Sequence, residues 1–200
     1  MKTNNFPNEI YQSCIDFGLL RRDQKFKKRK ITEGVSSDIW FVETVNSRFC
    51  IKRALSKLTV KEDWFAPVDR SNFEAEYFKA CKKVLPNSFP KILGHDHKKY
   101  ILAMEWFDNK KYKLWKRKLL QESLNKSDAA MVAKVLIKIH SYFYKKRNFE
   151  KKFLNDKTFY DIRIEPYILY TSKSYPEYRN KFHMVAKSLV KNKKTLIHGD

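Results

Sequence analysis

Four short stretches of this chain carry residue types, at spacings, that suit phosphate and proton chemistry. The first holds Lys52, in the run RFCIKRAL over residues 48–55. Side chains alternate along a strand, so its ammonium leaves the face opposite Phe49 and Ile51. A strand lysine that follows a hairpin loop with a single glycine, here Gly34, can hold the phosphates of a nucleotide lying under that loop. The second stretch offers a carboxylate to fix such a lysine, either Glu74 or Glu76, on a helix predicted to begin at Ser71. At 3.6 residues per turn the two lie about 80° to either side of the apolar stripe, so periodicity does not choose between them. Ser71 and Glu74 also spell a capping box, which by itself accounts for Glu74. The third is ILAMEWF, residues 101–107, running into the polar DNKK. An apolar strand that ends in a flexible segment suits a hinge between two lobes, with backbone groups free to meet an adenine. The fourth is LIHGD, residues 196–200, where a strand-like run ends on the carboxylate of Asp200, placed to accept a proton from a substrate hydroxyl.

The elements needed to position these groups can be read from periodicity. A short helix is predicted within residues 1–20, with Ile10, Cys14 and Phe17 on one face and Gly18 near its end. A basic run, KFKKRK, and a polar loop around Gly34 precede a hairpin with strands over residues 39–45 and 48–55. Residues 56–70 read as an irregular connector, and residues 71–84 as a helix with Phe73, Tyr77, Ala80, Cys81 and Val84 at helical spacing. A second strand pair is expected over residues 91–94 and 100–107. Beyond it the pattern turns helical. A short helix spans residues 115–120. A long one, capped by Ser127, carries the stripe Val132, Val135, Leu136, Ile139 and Phe143. Another helix starts near Pro176 and carries Phe182, Val185 and Leu189. Residues 195–197 read as a final strand. The layout is α+β, with a strand-rich lobe over residues 1–107 and a helical lobe over residues 108–200.

Composition narrows the field. The chain carries 43 Lys and Arg against 22 Asp and Glu, 43 − 22 = +21, which raises nucleic acid as a partner. Only KFKKRK is a dense run, however, and no nucleic-acid-binding motif accompanies it. No apolar stretch approaches the roughly 18 residues of a membrane span. The three widely spaced cysteines form no CxxC, which argues against a disulfide framework or a cysteine metal site. A cytoplasmic protein is expected.

Taken in order, VSSDIWFV, FCIKRAL, NFEAEYF, ILAMEWF and TLIHGD resemble the aminoglycoside phosphotransferase family, relatives of choline and methylthioribose kinases with a protein-kinase-like fold. CIKRALSKLTVKEDWFAPVDR and FYDIRIEPYIL also look like segments of such bacterial proteins, so the resemblance covers residues 31–200 nearly throughout. It implies a two-lobe fold and an ATP-dependent kinase acting on a small hydroxyl compound. In that scheme Lys52 pairs the nucleotide phosphates and Glu74 holds Lys52. Gly34, Ser36 and Ser37 belong to a covering loop that runs to Asp38. The backbone at Glu105 and Trp106 receives adenine, Asp200 is the catalytic base and His198 supports its loop. The family holds magnesium through an asparagine a few residues past this aspartate and a second aspartate further on, both beyond Asp200. The chain therefore reads as a fragment, expected to show little or no kinase activity alone and to expose apolar surface. A non-catalytic nucleotide-binding module is the alternative, followed by a basic nucleic-acid-binding protein.

Overall fold

The computed structural model describes residues 5–123 and 125–198. Its sheet-forming part is one antiparallel sheet of five strands in the order β1-β2-β3-β5-β4. The strands are β1 (Lys27–Ile31), β2 (Ser37–Glu43), β3 (Arg48–Ala54), β4 (Ile92–Asp96) and β5 (Ile101–Glu105). Alternation sorts the two faces. Trp40, Val42, Phe49, Ile51, Ile101 and Ala103 are buried together with Ile10, Cys14 and Leu20, so the first helix, α1 (Asn8–Asp16), and the chain after it cover this face. Ile39, Phe41, Cys50 and Met104 point the other way and stay only half-buried. The sheet thus has one packed face and one partly open face, which leaves room for a ligand beneath it.

The basic run is the first departure from the sequence reading, which left it outside the sheet. Lys27–Ile31 pairs along its length with residues 39–43 as an edge strand. Its cations find partners that hydropathy does not register. Lys28 lies 5.7 Å from the Phe6 ring, and Lys30 lies 5.6 Å from the Trp40 ring and 2.8 Å from Asp38.

The second helix, α2 (Arg70–Lys82), starts one residue earlier than expected, with Asp69 at its N-cap and no side-chain cap bond. The capping box does not form. Ser71 Oγ is buried without a hydrogen-bond partner, and Glu74 turns to a tertiary partner instead. The β4–β5 turn closes on Asp96, whose carboxylate accepts from the Lys98 and Lys99 amides at 2.9 Å each. β4 shifts register between Ile92 and Gly94, where the backbone passes against Phe17.

Among the described residues all the strands precede residue 106. The helices beyond are α3 (Trp115–Leu120), α4 (Lys126–Phe143), α5 (Arg147–Glu150), α6 (Asp156–Phe159), α7 (Tyr170–Ser174) and α8 (Arg179–Lys191). Asn125, not Ser127, caps α4: its side chain accepts from the Asp128 amide at 2.9 Å, while Asp128 accepts from the Asn125 amide at 3.2 Å. Of the predicted α4 stripe, Ile139 and Phe143 are buried and Val135 packs beside them, whereas Leu136 remains 42% exposed. α8 buries Ala186, and Val185 and Leu189 stay largely exposed. The exposed apolar surface expected of this part is therefore present. Between α6 and α7, Tyr160–Leu169 winds as a π-helix with Pro166 inside it; proline has no N–H, and the wider turn accommodates that loss.

Residues 195–197 are not a strand. Thr195 Oγ1 donates to the His140 carbonyl at 2.8 Å, and the Lys145 amide donates to the Lys194 carbonyl at 3.1 Å, so this segment is tied to the end of α4 and the chain after it, not to a sheet edge. Leu196 joins Tyr77, Cys81, Ile139 and Phe143 in a second core that fastens α2 to the helical part. Among the described residues no helix is long and apolar enough to cross a membrane, and all three cysteines are free.

Candidate functional site

A cleft of about 1290 Å³ opens between the loop before β2, β3, α2, the π-helix with the chain before it, and the chain from the end of α8 to His198. Lys52 lines it, carried by the centre of β3 between Ile39 of β2 and Leu102 of β5. Its ammonium donates to both Glu74 carboxylate oxygens, at 2.9 and 2.7 Å, and the Lys52 side chain is 16% exposed. The periodicity that left Glu74 and Glu76 equivalent is broken by the sheet. Glu74 faces the strand lysine, while Glu76 turns outward to Lys79 at 2.8 Å and to Lys152. An ammonium has three donors, and two are spent on Glu74, so one N–H of Lys52 remains for a ligand in the cleft. Cys50 lies on the same face one strand position pair away; burial pushes its thiol up to about 11, with Lys52 opposing and Glu74 adding to the shift, so it stays protonated at neutral pH.

Gly34, Ser36 and Ser37 line the same cleft. Asp38 does not: its carboxylate sits at the packed face, accepting from Trp40 Nε1 at 3.2 Å and pairing with Lys30. The loop is anchored through its backbone. The Val35 carbonyl accepts from the Thr59 amide at 2.8 Å, and the Ser36 carbonyl accepts from the Leu55 amide at 3.1 Å and from Arg70. His198 lies on the cleft wall with its ring edge-on to Tyr77, centroids 5.3 Å apart. Gly199 and Asp200 fall outside the described residues.

Glu105 and Trp106 are not brought to this cleft. The Glu105 amide donates to the Lys91 carbonyl at 2.9 Å, and the Glu105 carboxylate accepts from the Lys91 amide at 3.1 Å. The Trp106 ring packs on Phe41, centroids 4.6 Å apart, with the Arg29 guanidinium above both rings. Among the described residues each carboxylate lining the cleft is held by a cation: Glu74 by Lys52, Glu33 by Arg117 and Asp156 by Lys193. Among the described residues no group of three or more His, Cys, Asp or Glu side chains could hold a metal ion.

No protein-family model and no curated protein matches the sequence.

Sequence reading missed Arg70, which sits in the first turn of α2. A signal was present, because a cation at a helix N-terminus opposes the helix dipole and must serve some other contact. Sequence reading also passed over the contact between α2 and β4. There His95 Nε2 lies 2.9 Å from the Asn72 side-chain oxygen, the His95 and His97 ring centroids are 4.0 Å apart, and His95 Nδ1 is buried without a partner. Burial first, then the neighbouring His97 and Lys79, bring His95 down to about 4 from 6.5, against the opposing pull of Glu76 and Asp96. Between those two pH values the unfolded chain binds a proton that the folded chain refuses, so stability is lost as pH falls from about 6.5 to about 4. For Glu76, burial pushes the carboxyl up, but the hydrogen bonds from Lys152 and Lys79 outweigh it and bring it down to about 2, so its own loss comes later, below about 4.5. Urea unfolding at pH 7.5 and pH 5 is expected to show a loss on the order of 1 kcal/mol that His95→Gln largely removes. An equal loss in the variant would assign the acid sensitivity elsewhere.

Proposed function

We propose that this protein is an ATP-dependent phosphotransferase of protein-kinase-like architecture, acting on a small hydroxyl compound. The observation that carries the reading is the Lys52–Glu74 pair, which holds a half-buried ammonium in the cleft, on the open face of the sheet and close to the loop bearing Gly34, Ser36 and Ser37. Phosphoryl transfer asks a protein mainly for positioning and charge neutralisation. A carboxylate that takes both oxygens to one lysine fixes where the positive charge sits. Val35, Ala54, Leu58 and Phe73 line the same cleft and offer apolar surface for a planar base.

In this reading Lys52 and the covering loop hold the triphosphate. The acceptor oxygen forms a bond to the γ-phosphorus while the bridging bond to the β-phosphate breaks, leaving ADP. The acceptor proton passes to Asp200, two residues past the cleft-lining His198. The described carboxylates do not fit a magnesium site, since each one on the cleft wall is engaged by a lysine or arginine, and no step is routed through a metal. That same engagement favours, as a second reading, a module that binds nucleotide without turnover.

The test is a thermal-shift and calorimetric titration of the chain with ATP and with adenosine. ATP at 100 times its Kd is expected to stabilise the protein by about 2.7 kcal/mol, and adenosine, which offers Lys52 no phosphate, to bind much more weakly. Absence of any ATP-dependent shift sinks both readings. Binding with no phosphate transferred to a panel of sugars and amino alcohols leaves only the second.

A further inference from the structure

We infer that Arg70, on the wall of the cleft, is the positioning residue of the covering loop, holding it in register with Lys52; the inference rests on the phosphotransferase reading of this cleft. One arm of the guanidinium donates to the carbonyls of Ala66, at 3.2 Å, and Pro67, at 2.6 Å. The other donates to the carbonyls of Ser36 and of Leu55, the latter at 2.7 Å. Four backbone acceptors from three separate segments converge on a single side chain. Ser36 belongs to the loop, Leu55 follows β3 three residues after Lys52, and Ala66 and Pro67 end the connector that leads into α2. Arg70 itself stands one helical turn before Glu74 on α2.

The geometry couples parts that phosphate binding needs in register. α2 presents Glu74 to Lys52, β3 presents Lys52 to the cleft, and the loop lines the same cleft. Each is tied to the same planar fork. Without it the carbonyls of Val35 and Ser36 keep the Thr59 and Leu55 amides, and Glu33 keeps its ion pair with Arg117, but Thr59 lies in the connector that Arg70 also holds. The choice of arginine follows from its five donors spread over two arms in one plane, a layout that the three donors of a lysine at a single point do not reproduce. A cation in the first turn of α2 is electrostatically unfavourable there, so it is explained by these bonds and not by the helix.

The experiment compares wild type, R70K and R70Q by titration with ATP and with adenosine, and by amide hydrogen exchange. R70K is expected to lower ATP affinity about tenfold, to leave adenosine affinity within about twofold, and to speed exchange at the Leu55 and Thr59 amides. ATP and adenosine affinities that fall in equal proportion would reduce Arg70 to a general structural role and overturn the inference, as would unchanged ATP affinity. If wild type binds no ATP, the phosphotransferase reading has failed and exchange alone decides the clamp: faster exchange at both amides in R70K supports it, unchanged exchange overturns it. If neither variant folds, native-state exchange of the wild type still tests it, because the clamp requires those two amides to open together; independent opening overturns it.

Discussion

Lys52→Met is expected to lower ATP affinity by roughly a hundredfold while leaving the fold intact. A unit charge about 4 Å from a phosphate at an effective dielectric constant near 20 gives about 4 kcal/mol, and competition from water brings this to about 2–3 kcal/mol. The substitution also strips Glu74 of its partner, and because that side chain is 26% exposed the stability lost is modest, about 1 kcal/mol. The two effects separate in a double-mutant cycle. Glu74→Gln alone leaves the ammonium in place but loosely held, so ATP affinity falls less than in Lys52→Met. Lys52→Met combined with Glu74→Gln restores stability and does not restore binding. Isothermal calorimetry with ATP and urea unfolding of the four proteins read both arms. Wild-type affinity in Lys52→Met would show that nucleotide, if bound, sits elsewhere, and the phosphotransferase reading would fall with it.

Gly94→Ala is expected to be strongly destabilising, since of Gly18, Gly34 and Gly94 it is the one where an added Cβ meets the tightest contacts. A Cβ at that position would lie 2.2 Å from Phe17 Cγ, 2.3 Å from Cδ2 and 2.8 Å from Cβ. The clash involves the root of the Phe17 side chain, so rotation about one bond does not relieve it. Relief requires the segment that carries Phe17 to lift from the sheet. That segment directly follows α1, whose Ile10 and Cys14 are fully buried in the core of the packed face. Overpacking of this kind costs about 2–4 kcal/mol, a large share of the stability of a typical domain. Denaturant unfolding should show a lower midpoint with unchanged slope. A change below about 0.5 kcal/mol would mean that Phe17 does not rest on β4.

What could be read from the sequence was what local pattern determines. The β2–β3 hairpin and α2 declare themselves through alternation and helical spacing, and the Lys52 side chain followed from strand parity alone. Choosing Glu74 as its partner was beyond periodicity, because the two glutamates are symmetric about the stripe until a sheet lies on one side. The strand in Lys27–Ile31 was hidden because its stabilisation comes from pairing with β2 and from cations resting on rings contributed by other elements. Residues 195–197 mislead in the opposite sense: an apolar run is a strand only if an edge is available, and here the segment is tied to the end of α4. Arg70 left only the signal of a cation in the first turn of a helix and none of its partners, since its four acceptors are carbonyls and any residue supplies one. Of the backbone groups expected to meet adenine at Glu105 and Trp106, the Glu105 amide donates to the Lys91 carbonyl, a pairing between β5 and the chain before β4 that local pattern does not encode.

The cationic edge strand has a colloidal consequence. β1 ends the sheet with its outer backbone edge unpaired, and Lys27, Lys28, Arg29 and Lys30 are all exposed along it. If two molecules tried to zip together through these edges, eight positive charges would be crowded into one ladder, and mutual repulsion holds such an encounter apart. The guard is electrostatic, so it weakens as the Debye length shrinks from about 10 Å at 0.1 M salt to about 3 Å at 1 M. For this protein, self-association through β1 is expected to rise with the ionic strength of storage and purification buffers.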